Sequence, residues 1–181
     1  MKIMFISDIH GDIQCLKEAI DIFHQTKSDK LVILGDILYH GPRNDLPSNY
    51  APKQVIEELN KIKEHILAIR GNCDTEVDQM VLQFPILADY AYISADGLNM
   101  LLTHGHKFNA LNPPPLAYGD ILLCGHTHVY KVEKFGNNNT YINPGSITLP
   151  KENNPRTYMI YESKKFEIYD FSNIIVEKTA F

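Results

Sequence analysis

The chain has 181 residues, a formal net charge of −5, 44% hydrophobic and 22% charged residues, and three cysteines. That length supports a packed core. The acidic balance argues against a protein built to hold a nucleic-acid duplex or an anionic bilayer, and no window approaches the ~18 apolar residues of a membrane span. The N-terminal apolar stretch ends at Ser7 and Asp8, too soon for a signal peptide. Cys15, Cys73 and Cys124 are odd in number and far apart, which predicts reduced thiols in a cytoplasmic protein and no disulfide framework.

In chain order, KIMFIS (2–7) predicts a buried strand. Ile13, Leu16, Ile20 and Phe23 then line one face of an amphipathic helix. KLVILGD (30–36) is a second buried strand, so the first three elements form a right-handed parallel crossover. Residues 40–52 carry three prolines without periodicity, and Pro52 opens a helix whose face is Val55, Leu59, Ile62 and Ile66. HILAIRGN (65–72) gives a third strand, and the segment from Asp74 to Phe84 a short helix with Asp74 as cap. Beyond it the texture turns to hairpins: one about Asp96-Gly97, one about a Gly/Asn turn in KVEKFGNNNTYINPGS (131–146), and one in TYMIYESKKFEIYDF (157–171). Between them lie a loop with three consecutive prolines and the apolar run DILLCGHTH (120–128). No linker or repeat divides the chain, which predicts one α/β domain over residues 1–181, with two packed sheets and helices outside.

The residues just past each apolar run share one chemistry. They are Asp8 and His10, then Asp36 with His40 four residues on, then Asn72 and Asp74, then His104 and His106, then His126 and His128, mostly beside glycine, and seven of them are candidate ligands. Carboxyl ends of parallel strands border the crevice where α/β sheets bind ligands, so distant parts of the sequence should meet there. Mixed Asp, Asn and His donors suit Mn²⁺, Fe²⁺, Zn²⁺, Ni²⁺ or Co²⁺. Seven donors exceed what one tetrahedral ion uses. Two ions ~3.5–4 Å apart that share a carboxylate would use them all, and such a pair activates water against a phosphoester.

The blocks SDIHGD (7–12), GDILYHGPRN (35–44), GNCD (71–74), THGH (103–106) and GHTH (125–128) resemble those of the calcineurin-like metallophosphoesterases. With NPGS (143–146) and the short length, they are most similar to the small YfcE-type bacterial phosphodiesterases. The resemblance implies a four-layer αββα sandwich of two mixed β-sheets flanked by helices. It implies a first metal on Asp8, His10 and His128, a second on Asn72, His104 and His126, and Asp36 bridging both together with a hydroxide. Mn²⁺ is the family's usual ion, the expected substrate is a small-molecule phosphodiester, and a homodimer or homotetramer is expected. Many members carry histidine where this chain has Cys73; that histidine is associated with protonating the leaving group. His40 and Arg43, on a loop expected to overhang the site, are the candidates to contact substrate or leaving group in its place. The rival readings are a phosphomonoesterase of the same fold and a non-catalytic scaffold. A scaffold should lack ligand positions, and all seven are filled here.

Overall fold

The computed structural model describes residues 1–181. The elements run β1 (Lys2–Ile6), α1 (Ile13–Gln25), β2 (Lys30–Ile33), α2 (Pro52–Lys61), β3 (Ile66–Ala68), α3 (Glu76–Gln79), β4 (Tyr90–Ala95), β5 (Leu98–Thr103), β6 (Ile121–Leu123), β7 (Tyr130–Phe135), β8 (Asn139–Pro144), β9 (Thr157–Glu162), β10 (Lys165–Asp170) and β11 (Ile175–Ala180). They build two mixed sheets. One has the order β11-β10-β9-β1-β2-β3, with β1, β2 and β3 parallel. The other has the order β4-β5-β6-β8-β7, with β5, β6 and β8 parallel.

Alternation along β1 explains how the layers stack. Ile3 and Phe5 face the second sheet and join Val32, Leu34, Met100, Leu102 and Leu123 in the core between the sheets. Met4 and Ile6 face the other way, under Leu16 and Phe23 of α1 and Val55 and Leu59 of α2. A strand buried on both faces needs an unbroken apolar run, and KIMFI supplies one. Truncating one of these fully buried side chains to alanine costs about 2–5 kcal/mol.

Turn chemistry fixes the registers. Asp96 (φ 53°) and Gly97 (φ 80°) close the β4–β5 hairpin, and Ser163 (φ 50°) and Lys164 (φ 65°) close β9–β10. Both central residues left-handed is the type I′ geometry whose twist matches paired strands.

The two mixed sheets and the helical layer form as anticipated, but the fourth layer is thin. Leu101, Leu122, Cys124 and Tyr141, on the outer face of the second sheet, lie beneath Ala110 and Leu116 of the proline-rich loop, with no helix over them. Three local readings also change. α2 stops at Lys61 and a 3₁₀ turn follows, so Ile66 belongs to β3, paired with Leu31, and not to the helix face. The cap of α3 is Thr75, whose backbone and hydroxyl both bond Asp78; Asp74 is engaged elsewhere. β11 was not foreseen. Its exposure alternates irregularly at the rim of the sheet, so its sequence lacks a strong apolar signal.

Candidate metal centre

The parallel strands of both sheets deliver their carboxyl ends to one rim. Asp8 and His10 follow β1, Asp36 follows β2 and Asn72 follows β3; His104 follows β5, and His126 and His128 follow β6. The loops are tied to one another by backbone bonds: Asp8 N–H donates to Gly35 O (3.1 Å), His10 N–H to Asp36 O (3.0 Å) and Gly125 N–H to His104 O (2.8 Å). Asp8, His10, Asp36, His126 and His128 all adopt left-handed backbone, with φ between 48° and 68°. For a residue with a Cβ that conformation costs about 1–2 kcal/mol, and such outliers gather where a surrounding scaffold holds functional groups. Two glycines allow the closeness. A Cβ on Gly71 would enter the Asp36 carboxylate, and one on Gly125 would strike the Ser7 hydroxyl and crowd the Asp8 carboxylate.

The side chains converge. His128 Nε2 lies 3.3 Å from Asp8 Oδ1, His10 Nε2 3.7 Å from Asp8 Oδ1 and 3.8 Å from Asp36 Oδ2, and His104 Nε2 3.4 Å from Asp36 Oδ2. Backbone carbonyls fix three imidazole tautomers. Nδ1–H of His10 donates to Tyr39 O (2.8 Å), that of His104 to Leu34 O (2.6 Å) and that of His128 to Leu149 O (2.6 Å). Each Nε2 therefore turns inward as a donor atom for a cation, the arrangement that orients metal-binding histidines. Nε2 of His10 and of His128 face each other at 3.3 Å, and the fully buried Asp8 Oδ1 has no hydrogen-bond partner. Two opposed lone pairs beside an unpartnered carboxylate oxygen are unfavourable by themselves and fit a cation between them. Asp8, His10 and His128 form one group with metal-ligand spacing, Asp8, Asp36 and His104 a second, and His10, Asp36 and Cys73 a third. The donors are borderline-to-hard oxygens and imidazoles, suited to divalent first-row ions.

Electrostatics agree with close packing of unlike groups. Burial resists ionisation of Asp8, but the imidazoles of His10, His128 and His104 outweigh it and hold its carboxyl well below the usual range. Burial likewise resists protonation of His104, yet its hydrogen bond to Asp36 and the charge of Asp8 raise it to about 9. His126 is pushed down to about 4, by burial and then by the charge on His104.

The remaining sequence candidates fall into two sets. Asn72 Oδ1 is 3.2 Å from His104 Nε2, and the His126 ring centroid is 5.0 Å from that of His104, so both stand at the same centre. Arg43, Cys73, Asn72, His126 and His128 line a cavity of about 370 Å³ over it, within the size range of small-molecule sites. His40 is different. It does not line this cavity; its ring sits edge-on between Tyr39 (4.8 Å) and Tyr50 (5.4 Å), and its Nδ1 is buried without a partner. The loop packs that side chain against Tyr39 and Tyr50, while Arg43 lines the cavity. Cys73 lies beneath the cavity, its amide donating to Asp36 Oδ1 (2.8 Å). Burial and then the Asp36 carboxylate push its thiol far up, so it stays protonated and is a weak proton donor at neutral pH.

Several supporting residues went unrecognised in the sequence. Asp74 accepts from the amides of Asp36 (2.8 Å), Ile37 (2.8 Å) and Gly71 (2.7 Å), clamping the loops after β2 and β3 together. Asn143, read as a turn residue, is fully buried. Its Nδ2 donates toward Gly125 O (2.7 Å), Thr127 Oγ1 (3.0 Å) and Tyr141 OH (3.0 Å), and its Oδ1 accepts from Gly145 N–H (2.8 Å). Ser146 Oγ donates to Asp8 O (2.9 Å) and accepts from Leu149 N–H (2.9 Å). The NPGS segment thus holds the GHTH loop against the loop after β1. In the sequence this segment counts as part of the family resemblance, with no structural role beyond a turn attached to it.

Comparison with known proteins converges on this geometry. Residues 1–165 match the calcineurin-like phosphoesterase superfamily domain. The phosphodiesterase YfcE of Escherichia coli K12 is 47% identical over 158 residues, which cover 87% of this chain and 85% of that protein. A phosphodiesterase of Methanocaldococcus jannaschii is 26% identical over 152 residues, 80% of this chain and 83% of that one. The solved structure of the E. coli phosphoesterase superposes with a TM-score of 0.96 at 42% identity, covering 99% of both chains. Vacuolar Protein Sorting 29 of Cryptosporidium parvum shares the fold alone, with a TM-score of 0.64 at 17% identity over 99% of this chain and 98% of that one. No helix of the chain is long and apolar enough to cross a membrane. The chain belongs to the calcineurin-like phosphoesterase superfamily and is a hydrolase acting on ester bonds.

Proposed function

We propose that the protein is a metal-dependent phosphodiesterase with a dinuclear centre. In this reading Asp8, His10 and His128 hold one divalent ion, Asn72, His104 and His126 hold the other, and Asp36 serves both. Mn²⁺ is the favoured ion, and the three buried thiols suit a reducing cytoplasm. The observation that carries the reading is the unpartnered Asp8 Oδ1 among inward-turned imidazole nitrogens. Divalent ions held there would acidify a water molecule and draw charge from the phosphoryl oxygens.

The chain's own residues do the rest. The carbonyls of Tyr39, Leu34 and Leu149 hold the Nδ1–H side of each ring and so aim Nε2 at the centre. Arg43, at the cavity wall, opposes the anionic phosphate, where charge stabilisation matters most. The protonated Cys73 thiol supplies no imidazolium beneath the leaving group, which fits a diester with a tolerable leaving alcohol better than a monoester. The relatives named phosphodiesterases point the same way.

Metal analysis of the purified protein, followed by matched assays on bis(4-nitrophenyl) phosphate and 4-nitrophenyl phosphate, tests this. The diester should be hydrolysed faster. Asp36→Ala should lower diester turnover by about 10³-fold or more with the circular dichroism spectrum retained. Undiminished turnover by metal-stripped Asp36→Ala protein would refute the mechanism.

A further inference from the structure

The cavity above the metal centre has an unusual wall. Beyond the candidate ligands it contains Gly41, Pro42, Arg43, Asn44, Cys73, Thr127 and Lys151, and no Phe, Tyr, Leu, Ile, Val or Met side chain. Such a wall has little surface on which to seat an acyl chain. What it offers is hydrogen bonding and positive charge.

The two cations come from different sides. Arg43 belongs to the loop after β2, next to Gly41 and Cys73; Lys151 belongs to the loop after β8, next to His128. Neither Arg43 nor Lys151 has a carboxylate within 4.0 Å.

Lys151 is also held in place from its backbone. Its N–H donates to His128 O (3.2 Å), and its carbonyl accepts from Asn154 N–H (3.1 Å) and Asn154 Nδ2 (2.9 Å). Two residues earlier, Leu149 O accepts from His128 Nδ1, and Ser146 and Thr148 fasten the same loop to the carbonyls of Asp8 and Ile9. The Lys151 backbone is thereby fixed beside the centre, so the reach of its side chain over the cavity is set by the fold.

A diester brings one negative charge. Two divalent ions set against two carboxylates, with Arg43 at the wall, already leave the cavity floor cationic enough to receive it, so the charge of Lys151 remains for something else. We infer that Lys151, with Arg43 opposite, is a specificity-determining residue that selects hydrophilic phosphodiesters carrying a second anionic group, a carboxylate or further phosphate, on the ester moiety. This rests on the phosphodiesterase reading above.

The test uses two non-hydrolysable mimics of matched size, methyl(propyl)phosphinate with one negative charge and (2-carboxyethyl)methylphosphinate with two. Each is titrated by calorimetry into the Mn²⁺-loaded protein, and hydrolysis of bis(4-nitrophenyl) phosphate is measured in parallel. The carboxylated mimic should bind about tenfold tighter, the scale of one charge-assisted contact. That ratio should collapse towards one in Lys151→Gln and persist in Lys151→Arg. Equal affinities with hydrolysis intact, or an undiminished ratio in Lys151→Gln, overturn the inference and leave the phosphodiesterase reading standing. Absence of both binding and hydrolysis overturns that reading and this inference with it.

Discussion

Replacing Asn143 by alanine separates support of the metal centre from ligation, because Asn143 itself donates nothing to the centre. Its amide has two protons directed at three acceptors, of which Gly125 O at 2.7 Å is the shortest, and its oxygen receives Gly145 N–H at 2.8 Å. Thr127 Oγ1 keeps another contact, with Val129 N–H. Truncation therefore strands chiefly the Gly145 amide in a fully buried spot, since the Gly125 carbonyl keeps the Thr127 N–H (2.8 Å). At about 1–3 kcal/mol for an unsatisfied buried group, the loss should be about 1–3 kcal/mol. For a chain of this size that lowers the melting temperature by roughly 2–12 °C. The Gly125 carbonyl anchors the loop bearing His126 and His128, so metal affinity should fall as well, by about 10–100-fold, as it does when groups that orient ligands are removed. Urea denaturation of the metal-free protein gives the first number and calorimetric metal titration the second. A variant that loses under 1 kcal/mol and binds metal like the parent would refute the argument that this side chain holds the loop.

Three further outcomes follow from the same geometry. Addition of Mn²⁺ at about a thousandfold its Kd should stabilise the chelator-treated protein by about 4 kcal/mol, seen as a rise of roughly 8–16 °C in a thermal scan; His128→Ala should forfeit most of that rise. In the metal-free protein His104 is held protonated near neutrality, and a ligating imidazole must be neutral, so metal uptake should release about one proton from this site. Calorimetry in buffers of different ionisation enthalpy measures it, and proton-neutral uptake would contradict the assignment. Gly71→Ala forces a methyl into the Asp36 carboxylate; it should cost about 1–3 kcal/mol and depress diester turnover together with stability, whereas an unchanged urea midpoint would mean the loops have slack.

The chemistry at strand ends was legible because each ligating type follows an apolar run directly, and parallel strands can deliver their ends only to one rim. The strands themselves were equally plain where burial on both faces demanded uninterrupted apolar residues, as in β1 and β2. What was hidden depends on tertiary partners. Asp74 has the local appearance of a helix cap, but the amides of Asp36 and Ile37, 38 and 37 residues away, compete for it together with that of Gly71 and win with three bonds. Ile66 continues the period of α2, yet pairing with Leu31 fixes it as strand. His40 sits in the right loop, but two tyrosine rings take its side chain, a preference no spacing rule encodes. β11 carries little apolar signal because it lies at the sheet edge, and Lys151 stood outside every recognised block.

The seven candidate donors are divided between the two sheets: four arrive from the six-stranded one and three from the five-stranded one. Phe5, Leu34, Leu102 and Leu123 fill the space separating them, so this greasy filling acts as the spacer of a pair of jaws. A mutation there that lets one sheet slide by a fraction of an ångström would change the spacing of those donors before it threatens the fold. Activity should therefore be the more sensitive gauge of how well this core is packed.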